Sequence, residues 1–290
     1  MHELFSQILL PVTIALIMFG VGMSLKKEDF RMLWEKPVVV SAGLAAQMIL
    51  LPLLAFLIAF SLPLPASVKV GLVLLAAAPG GTISSVVTYW VRGNVVLCVV
   101  LTSLTSLLII GTLPLLVRMA LRLFAHQDIE GIHLPFFNTL FNVAVVILFP
   151  VYTGVLFKKY FSLLALRMEK PYEAVMTGLL ALVYVMVIVS QNRISHSNFL
   201  FYVSLAAVSL LLNLTAMTGS YYLLRRFYFS HRNSYTIAIQ AGLQDTALAI
   251  YVASSLMKSN EIAIVPVVYG SFTFFTALIF GYRQMKKDQK

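Results

Sequence analysis

Long apolar stretches recur along almost the whole of this chain of 290 residues. One of them reads GLAAQMILLPLLAFLIAF, and about 20 such residues are enough for an α-helix to cross a hydrocarbon layer roughly 30 Å thick. The stretches are apolar on every face, whereas strands of a membrane β-barrel alternate apolar and polar residues. Charged residues make up only 11% of the chain, against about a quarter of a soluble domain. The sequence therefore predicts an all-α polytopic membrane protein and excludes a soluble one.

The apolar segments predict nine transmembrane helices. They cover roughly residues 5–24, 37–61, 67–91, 94–117, 136–157, 172–191, 198–223, 234–256 and 262–282. The first segment is preceded by Glu3 rather than by Lys or Arg and has no small-residue cleavage pattern before Lys26, so it predicts a retained span and not a signal peptide. With the N-terminus outside and the C-terminus inside, 16 of the 21 Lys and Arg residues lie on the cytoplasmic side, as expected for a cell (inner) membrane.

Charge and motifs exclude several classes of function. The net charge of +10 comes from basic residues spread between the spans, so it indicates membrane orientation and not nucleic-acid binding. No HExxH, GxSxG, Walker A or CxxC motif is present. We therefore expect no enzyme, no cofactor and no nucleic-acid partner, but a lipid bilayer and a small solute. The single cysteine, Cys98, lies within a span and excludes a disulfide framework.

The third predicted span, VKVGLVLLAAAPGGTISSVVTYWV, is interrupted near half depth. Pro79 removes a backbone donor, and Gly80 and Gly81 relax the helix directly after it. Backbone groups that are freed in this way cannot face lipid, so they must line a cavity or meet a ligand. The hydroxyl side chains that follow the break are Thr82, Ser84 and Ser85.

The eighth predicted span, SYTIAIQAGLQDTALAIYVASSL, carries a second polar interruption. Its members are Gln240, Gly242, Gln244, Asp245 and Thr246. Both interruptions lie in the third span of a four-span unit, and the extra span between the two units gives them opposite directions. Paired interruptions in such an inverted repeat indicate the binding site of a secondary transporter. Two kinks in packed helices, without a function, are the alternative.

Asp245 is the one acidic residue that this topology places deep inside a span. A carboxylate there costs about 2.5–3.5 kcal/mol on insertion scales and is usually offset by a cation, a proton or water in a functional cavity. The alternative is a structural carboxylate that bonds to backbone groups freed at Gly242.

Other polar side chains lie in otherwise apolar spans. Gln47 and Asn213 are isolated amides in spans two and seven, where interhelical hydrogen bonding without a function is the alternative. Cys98 and Thr102 recur at helical spacing on span four, where bonding to their own helix is the alternative.

Three segments resemble the bile acid:sodium symporter family, and the match runs in order over nearly the whole chain. They read IMFGVGMSLKKEDF, PGGTISSVVTYWVRGNVVLCVVLT and GLQDTALA. The resemblance implies a core domain of six spans, at about 37–117 and 198–282, in which the two broken helices cross. It also implies a smaller panel domain at about 5–24 and 136–191. Nine spans are similar to the animal members, whereas bacterial relatives often have ten.

The resemblance also implies a sodium site, to which this chain conforms only in part. The residues that match the family's sodium ligands are Gln47, Ser84, Thr102 and Gln244. Those that depart are Ser85, Cys98, Gln240 and Asp245, which stand where Asn, Ser, Glu and Asn are usual. Sodium needs several close oxygens, and Gln at the place of Glu removes the charge that offsets its desolvation. Either sodium lies nearer Asp245, or Asp245 takes up a coupling proton, or the protein is an uncoupled facilitator.

The family's substrates are mostly amphipathic organic anions. Half-helices that start near Thr82 and Thr246 would offer free amides and a positive dipole end to a carboxylate or sulfate. The residues expected to bind substrate are Thr82, Ser84, Asn213, Asp245 and Thr246. Phe274 and Phe275 stand where a His-Asn pair is common, which implies a more apolar or differently held ligand. We expect an alternating-access organic-anion transporter coupled to sodium; proton-coupled or uncoupled transport, or a membrane sensor without flux, are the alternatives.

Overall fold

The described part of the chain is helical. A computed structural model describes residues 10–25, 31–81, 83–124, 136–165, 167–168, 172, 175, 178 and 199–288. Within these residues the α-helices are α1 (Leu10–Ser24), α2 (Met32–Glu35), α3 (Pro37–Ala45), α4 (Leu51–Ser61), α5 (Ala66–Ala77), α6 (Ile83–Trp90), α7 (Val95–Phe124), α8 (Phe136–Tyr160), α9 (Phe199–Arg226), α10 (His231–Gly242), α11 (Thr246–Tyr251) and α12 (Asn260–Asp288). Two π-helical turns, Ala46–Leu50 and Val252–Leu256, follow α3 and α11.

Four helices of the described part are long and apolar enough to cross a membrane, as judged by their length and composition. They are Pro37–Ser61, Val95–Phe124, Leu200–Arg226 and Asn260–Lys287. Shorter apolar helices run over Pro11–Met23, Ala66–Ala77 and Thr246–Leu256. The prediction of an all-α membrane fold is confirmed in this coarse form. The predicted sixth span, 172–191, falls outside the described residues except at 172, 175 and 178, which are helical.

Helix α7 runs further than its apolar segment predicts. The fourth span was expected to end at residue 117, but α7 continues to Phe124 and includes Arg118 and Arg122. Both arginines are exposed, and long basic side chains can reach water while their stems cover apolar surface. The Nζ atom of Lys69, near the start of α5, lies 5.4 Å from the ring centroid of Phe124. Apolar composition therefore marks the membrane-embedded part of α7 but not its end.

The π-helical turn after α3 follows from Pro52. Proline has no backbone N–H, so it cannot donate to the carbonyl four residues earlier, and helices commonly widen or bend at such a place. Here the N–H of Leu51 donates to the carbonyl of Ala46, which is the longer spacing of a π-helix. The turn places Gln47 in the buried interior of the protein.

Helices α1 and α8 pack with their backbones in direct contact. A Cβ atom built on Gly22 would meet the carbonyl oxygen of Val151, and one built on Gly154 would meet the carbonyl oxygen of Phe19. Glycines at such positions let two membrane helices approach more closely than larger residues allow.

Replacing Gly22 with alanine should therefore lower the thermal stability of the detergent-solubilised protein. The carbonyl of Val151 belongs to a helix backbone and cannot move aside cheaply, so we expect a loss of roughly 1–3 kcal/mol. Gly219→Ala is the matched control, because a Cβ there meets no atom within 4 Å. Equal melting temperatures for the two variants would contradict this packing.

Candidate functional site

The two predicted interruptions lie against each other. The first separates α5 from α6, and the second separates α10 from α11. The N–H of Gly81 donates to the carbonyl of Leu243 at 2.7 Å, and the N–H of Asp245 donates to the carbonyl of Pro79 at 2.8 Å. Gly80 and Gln244 thus form an isolated antiparallel β-bridge. Each break thus satisfies one backbone N–H and one carbonyl of the other.

Local sequence explains why the first break takes this form. A residue before proline is pushed out of the helical region, and Ala78 has φ −68° and ψ 156°, an extended conformation. The chain then passes close to the second break: a Cβ built on Gly81 would lie 3.1 Å from the carbonyl oxygen of Gln244. A Cβ on Gly80 would lie 2.9 Å from Nε2 of Gln47 and still closer to Nε2 of Gln240. The two glycines therefore allow the breaks to meet.

Four of the predicted ion-site residues form one buried cluster: Ser84 on α6, Cys98 and Thr102 on α7, and Gln240 on α10. Cys98 Sγ donates to Gln240 Oε1 at 2.8 Å, and Gln240 Nε2 donates to Thr102 Oγ1 at 2.6 Å. Ser84 Oγ lies within hydrogen-bonding distance of Gln240 Oε1 and is 3.2 Å from Cys98 Sγ. Both ends of the Gln240 amide are thus used within the protein.

The cluster contains more acceptors than its hydroxyl protons can satisfy. Ser84 Oγ is also 2.6 Å from the carbonyl oxygen of Gly81, but a serine has only one proton to donate. Oxygen atoms of Gly81, Ser84, Gln240 and Thr102 therefore converge in a buried space without a formal charge. Such a set of oxygens is the chemistry that hard cations use.

Two further predicted ion ligands have acceptors to spare. Within the described part of the chain, neither amide atom of Gln47 has a hydrogen-bond partner, and Oε1 of Gln244 has none. The Nε2 atom of Gln244 donates to the carbonyl of Ala241 at 2.8 Å. Gln47 and Gln244 are both more than nine-tenths buried. Unpartnered buried amides of this kind call for an explanation.

Asp245 is buried, whereas the acidic residues Glu35 and Glu261 are exposed. Its Oδ1 atom accepts the N–H of Leu248 at 3.1 Å, so the side chain caps the start of α11. No Lys or Arg of the described ranges forms an ion pair with it; the ion pair found there joins Arg31 and Glu35. The carboxylate therefore serves as an N-cap without a neutralising side chain.

Asn213, on α9, forms a hydrogen bond with the end of α10 at the second break. Its Nδ2 atom donates to the carbonyl of Gly242 at 2.8 Å, and its Oδ1 atom accepts from Thr276 Oγ1 at 2.7 Å. Tyr269 Oη donates to the same carbonyl of Gly242 at 2.8 Å. In this conformation Asn213 is engaged with the protein, and its part in substrate binding stays a prediction.

The remaining predicted residues are placed as follows. Ser85 is half-buried beside Ser84, and Thr246 is buried at the first position of α11. Thr82 lies outside the described residues. Sequence reasoning missed Tyr269, which was not among the residues predicted for the site. The signal was its position inside an apolar span, since a buried tyrosine hydroxyl usually finds a hydrogen-bond partner.

The types of polar atom at the breaks indicate which ions they suit. The described residues contain no group of three or more His, Cys, Asp or Glu side chains that could hold a metal ion. Apart from the Cys98 thiol, the polar side-chain groups at the breaks are hydroxyls, amides and one carboxylate, whose oxygen atoms suit an alkali cation or an organic solute better than a transition metal.

Comparison with known proteins gives the family. The profile of the Sodium Bile acid symporter family matches residues 11–197. The chain belongs to this family. Membership of the Sodium Bile acid symporter family, together with the apolar helices, identifies a multi-pass membrane transport protein and lends no support to an enzyme. The resemblance seen in the sequence segments is thereby confirmed.

Three proteins with known or suggested transport functions are similar to this chain in sequence. An uncharacterized sodium-dependent transporter of Bacillus subtilis, YocS, is 31% identical over 247 residues, which cover 85% of this chain and 74% of the relative. A probable chloroplast sodium/metabolite cotransporter of Oryza sativa is 30% identical over 258 residues, or 88% of this chain and only 59% of the plant protein. The sodium-dependent organic anion transporter of Mus musculus is 25% identical over 296 residues, or 99% of this chain and 76% of the relative.

Replacing Gly80 with alanine should disrupt the meeting of the two breaks. The new methyl group would displace the Gln240 side chain, which its bonds to Cys98 and Thr102 hold in place. We expect a loss of roughly 1–3 kcal/mol of stability from overpacking, measured by thermal unfolding in detergent. Gly111→Ala is the control, because a Cβ there meets nothing within 4 Å. A Gly80→Ala protein as stable as that control would argue against the contact.

Proposed function

We propose that this protein is a secondary transporter that carries small organic anions across a membrane by alternating access, coupled to sodium. The observation that supports this most is the backbone pairing of two broken helices deep in the protein, at Gly81–Leu243 and Asp245–Pro79. Discontinuous helices that meet at half depth are the usual way for a transporter to offer polar groups to a solute inside a bilayer. The names of the Bacillus, rice and mouse relatives point the same way.

The proposal includes a topology of nine spans built as an inverted repeat. Core spans at about 37–117 and 198–282 would carry both breaks, and panel spans at about 5–24 and 136–191 would rock against them. The N-terminus would lie outside and the C-terminus in the cytoplasm of a cell (inner) membrane.

Sodium coupling is proposed with an altered site. The cluster around Gln240 is neutral, and the Gln240 amide directs its N–H toward Thr102, where a carboxylate would have offered only acceptors. Among the predicted ion ligands, Gln47 and Gln244 are the described residues with a buried amide oxygen that has no hydrogen-bond partner. We therefore place the coupling ion nearer Gln47 and Gln244 than Thr102. The missing charge of a Glu at position 240 makes ion binding weaker than a carboxylate would.

The start of α6 is the better of the two predicted ends for a substrate carboxylate or sulfate. At the other end, the start of α11, Asp245 already caps the helix with its own carboxylate. A second negative group there would be repelled, by about 4 kcal/mol at 4 Å with an effective dielectric constant near 20. An anion would therefore bind on the Ser84 side of the paired breaks, unless Asp245 is protonated or paired with a cation.

A second candidate is proton-coupled or sodium-independent transport that uses Asp245. The observation that favours it is the burial of this carboxylate without an ion pair among the described residues. A carboxylate in a transporter core that lacks a cationic partner is suited to taking up and releasing a proton.

Uptake into proteoliposomes under separate sodium and proton gradients tests both candidates. Accumulation of an organic anion that requires the sodium gradient supports the first, and accumulation that requires only the proton gradient supports the second. Thermal-shift screening of anions with and without sodium would supply the substrate, because a ligand that binds the folded state raises its stability. Ligand binding without flux under either gradient would contradict transport and favour a membrane sensor.

Gln240→Glu should strengthen the dependence on sodium. The new carboxylate would return a negative charge to a neutral set of oxygens, and we expect the half-saturating sodium concentration to fall by about tenfold, or about 1.4 kcal/mol. Gln284→Glu adds the same charge to another buried glutamine, which lies near the end of α12 and away from the breaks. No change in Gln240→Glu, or an equal change in the control, would count against the proposed ion site.

Asp245→Asn should abolish accumulation against a gradient while leaving exchange of solute intact, if Asp245 carries the coupling ion. Asparagine caps helices about as well as aspartate, so α11 should keep its start and the fold its stability. Asp245→Ala separates the two roles, because it also removes the cap and should cost about 1 kcal/mol of stability. Undiminished accumulation in Asp245→Asn would dismiss the coupling role.

A further inference from the structure

Side chains from the first two turns of α10 form hydrogen bonds with the loop between α6 and α7. Arg92 in this loop has a positive φ of 57°. The Tyr235 hydroxyl, which has one proton to share, lies 3.1 Å from the carbonyl oxygen of Arg92 and 3.3 Å from that of Val91. Arg232 Nη2 donates to the carbonyl of Gly93 at 3.0 Å. Three consecutive carbonyls at the end of α6 thus lie within hydrogen-bonding distance of side chains of α10.

Side chains of α10 also form hydrogen bonds with Asn94, directly before α7. The N–H of Asn94 donates to Thr236 Oγ1 at 2.9 Å, and Asn94 Nδ2 donates to Asn233 Oδ1 at 3.0 Å. Gly93 fits tightly between the partners, since a Cβ there would lie 2.7 Å from Thr88 Cγ2 and 2.8 Å from Thr236 Oγ1. Most of these bonds use backbone atoms of the loop, so they fix its position and not merely that of its side chains.

The hydrogen bonds at Asn94 and those of the buried Gln240 cluster both connect α7 to α10. Cys98, on α7, follows Asn94 by four residues, and its N–H donates to the carbonyl of Asn94. Gln240 likewise follows Thr236 by four residues on α10. Residues four apart share one helix face, about one turn from each other. The bond from Asn94 to Thr236 therefore lies one turn from the bond between Cys98 and Gln240.

We propose that Thr236 is a positioning residue for the Gln240 cluster. Its hydroxyl, assisted by Tyr235 and Asn233, sets the depth and rotation of α10 against α7, and so holds the Gln240 amide in reach of Cys98 and Ser84. The consequence for ion coupling rests on the proposed function, in which Gln240 borders the ion site.

The burial and the hydrogen bonds of Thr236 suit this role. Thr236 is fully buried, and its hydroxyl both accepts from Asn94 and donates to the carbonyl of Arg232 at 2.8 Å. The hydroxyl therefore has a defined direction, which a valine of the same shape would lose. Ser234, two residues earlier, bonds only to the carbonyl of Ser230 within the start of α10.

Infrared spectroscopy of the Cys98 thiol tests the proposal directly. Cys98 is the only cysteine of the chain, so its S–H stretching band is assignable without labels and disappears in Cys98→Ser. A hydrogen bond from the thiol lowers the frequency of this band. Gln240→Leu removes this acceptor, so its band gives the reference position for a thiol without the Gln240 bond and with Ser84 as its remaining neighbour.

Thr236→Val should move the S–H band to higher frequency, toward its position in Gln240→Leu. Thr236→Ser keeps the hydroxyl and should restore the wild-type band, while Ser234→Ala is the matched control and should leave the band in place. Gly93→Ala, which pushes the loop away from Thr236, should act like Thr236→Val. An unmoved band in folded Thr236→Val and Gly93→Ala, or an unmoved band in Gln240→Leu, would overturn the proposal.

Sodium titration then links positioning to coupling. If uptake depends on sodium, Thr236→Val should raise the half-saturating sodium concentration about threefold, with no such change in Ser234→Ala. Uptake that does not depend on sodium would contradict the proposed sodium coupling. The infrared result would still decide whether Thr236 positions Gln240. An S–H band that moves in Thr236→Val together with an unchanged sodium requirement would limit the role of Thr236 to the geometry of the cluster and overturn its part in coupling.

Discussion

The fold depends on one constraint: inside a hydrocarbon layer, a backbone group that leaves the helical ladder must find another partner. The chain breaks two helices and satisfies the freed groups by pairing the breaks with each other, through Gly81–Leu243 and Asp245–Pro79. The carbonyl of Gly242 at the edge of this pairing is held by Asn213 and Tyr269. Because each break is the hydrogen-bond partner of the other, neither half of the protein can hold its broken helix in this form alone.

Much of this arrangement could be predicted from residues that leave little choice. Proline cannot donate, and glycine favours departures from the helix, so the sequence around Pro79 predicted the first break; clustered amides and Asp245 predicted the second. Other features could not be predicted, because they depend on which side chains meet in space. The hydrogen bonds that use both ends of Gln240, the N-cap made by Asp245 and the contact of Tyr269 with Gly242 are of this kind. The end of α7 was misplaced for another reason, since hydropathy follows the membrane and not the helix.

The neutral cluster is the feature that most separates this chain from the pattern its family resemblance implies. Where a carboxylate would need a cation, the Gln240 amide supplies its own donor to Thr102 and accepts from Cys98. The carboxyl group lies instead at Asp245, at the start of α11, where it accepts the backbone N–H of Leu248. Five residues along the chain thus separate the amide at position 240 from the carboxylate at position 245, and this shift bears on how an ion, a proton and an anionic solute would share the breaks.

The pairing of the breaks is most directly measured by solid-state NMR in lipid bilayers. The chain has four aspartates, and none has a proline among the five residues before it, so a sample labelled with 15N-Asp and 13C-carbonyl Pro contains no such pair that arises from local sequence. The account predicts one strong dipolar coupling, between Asp245 N and Pro79 C at about 4 Å, from an N···O distance of 2.8 Å and a carbonyl bond of about 1.2 Å. The coupling should vanish in Asp245→Asn, which carries no label at that position. No coupling in the wild-type protein would contradict the pairing on which the candidate site rests.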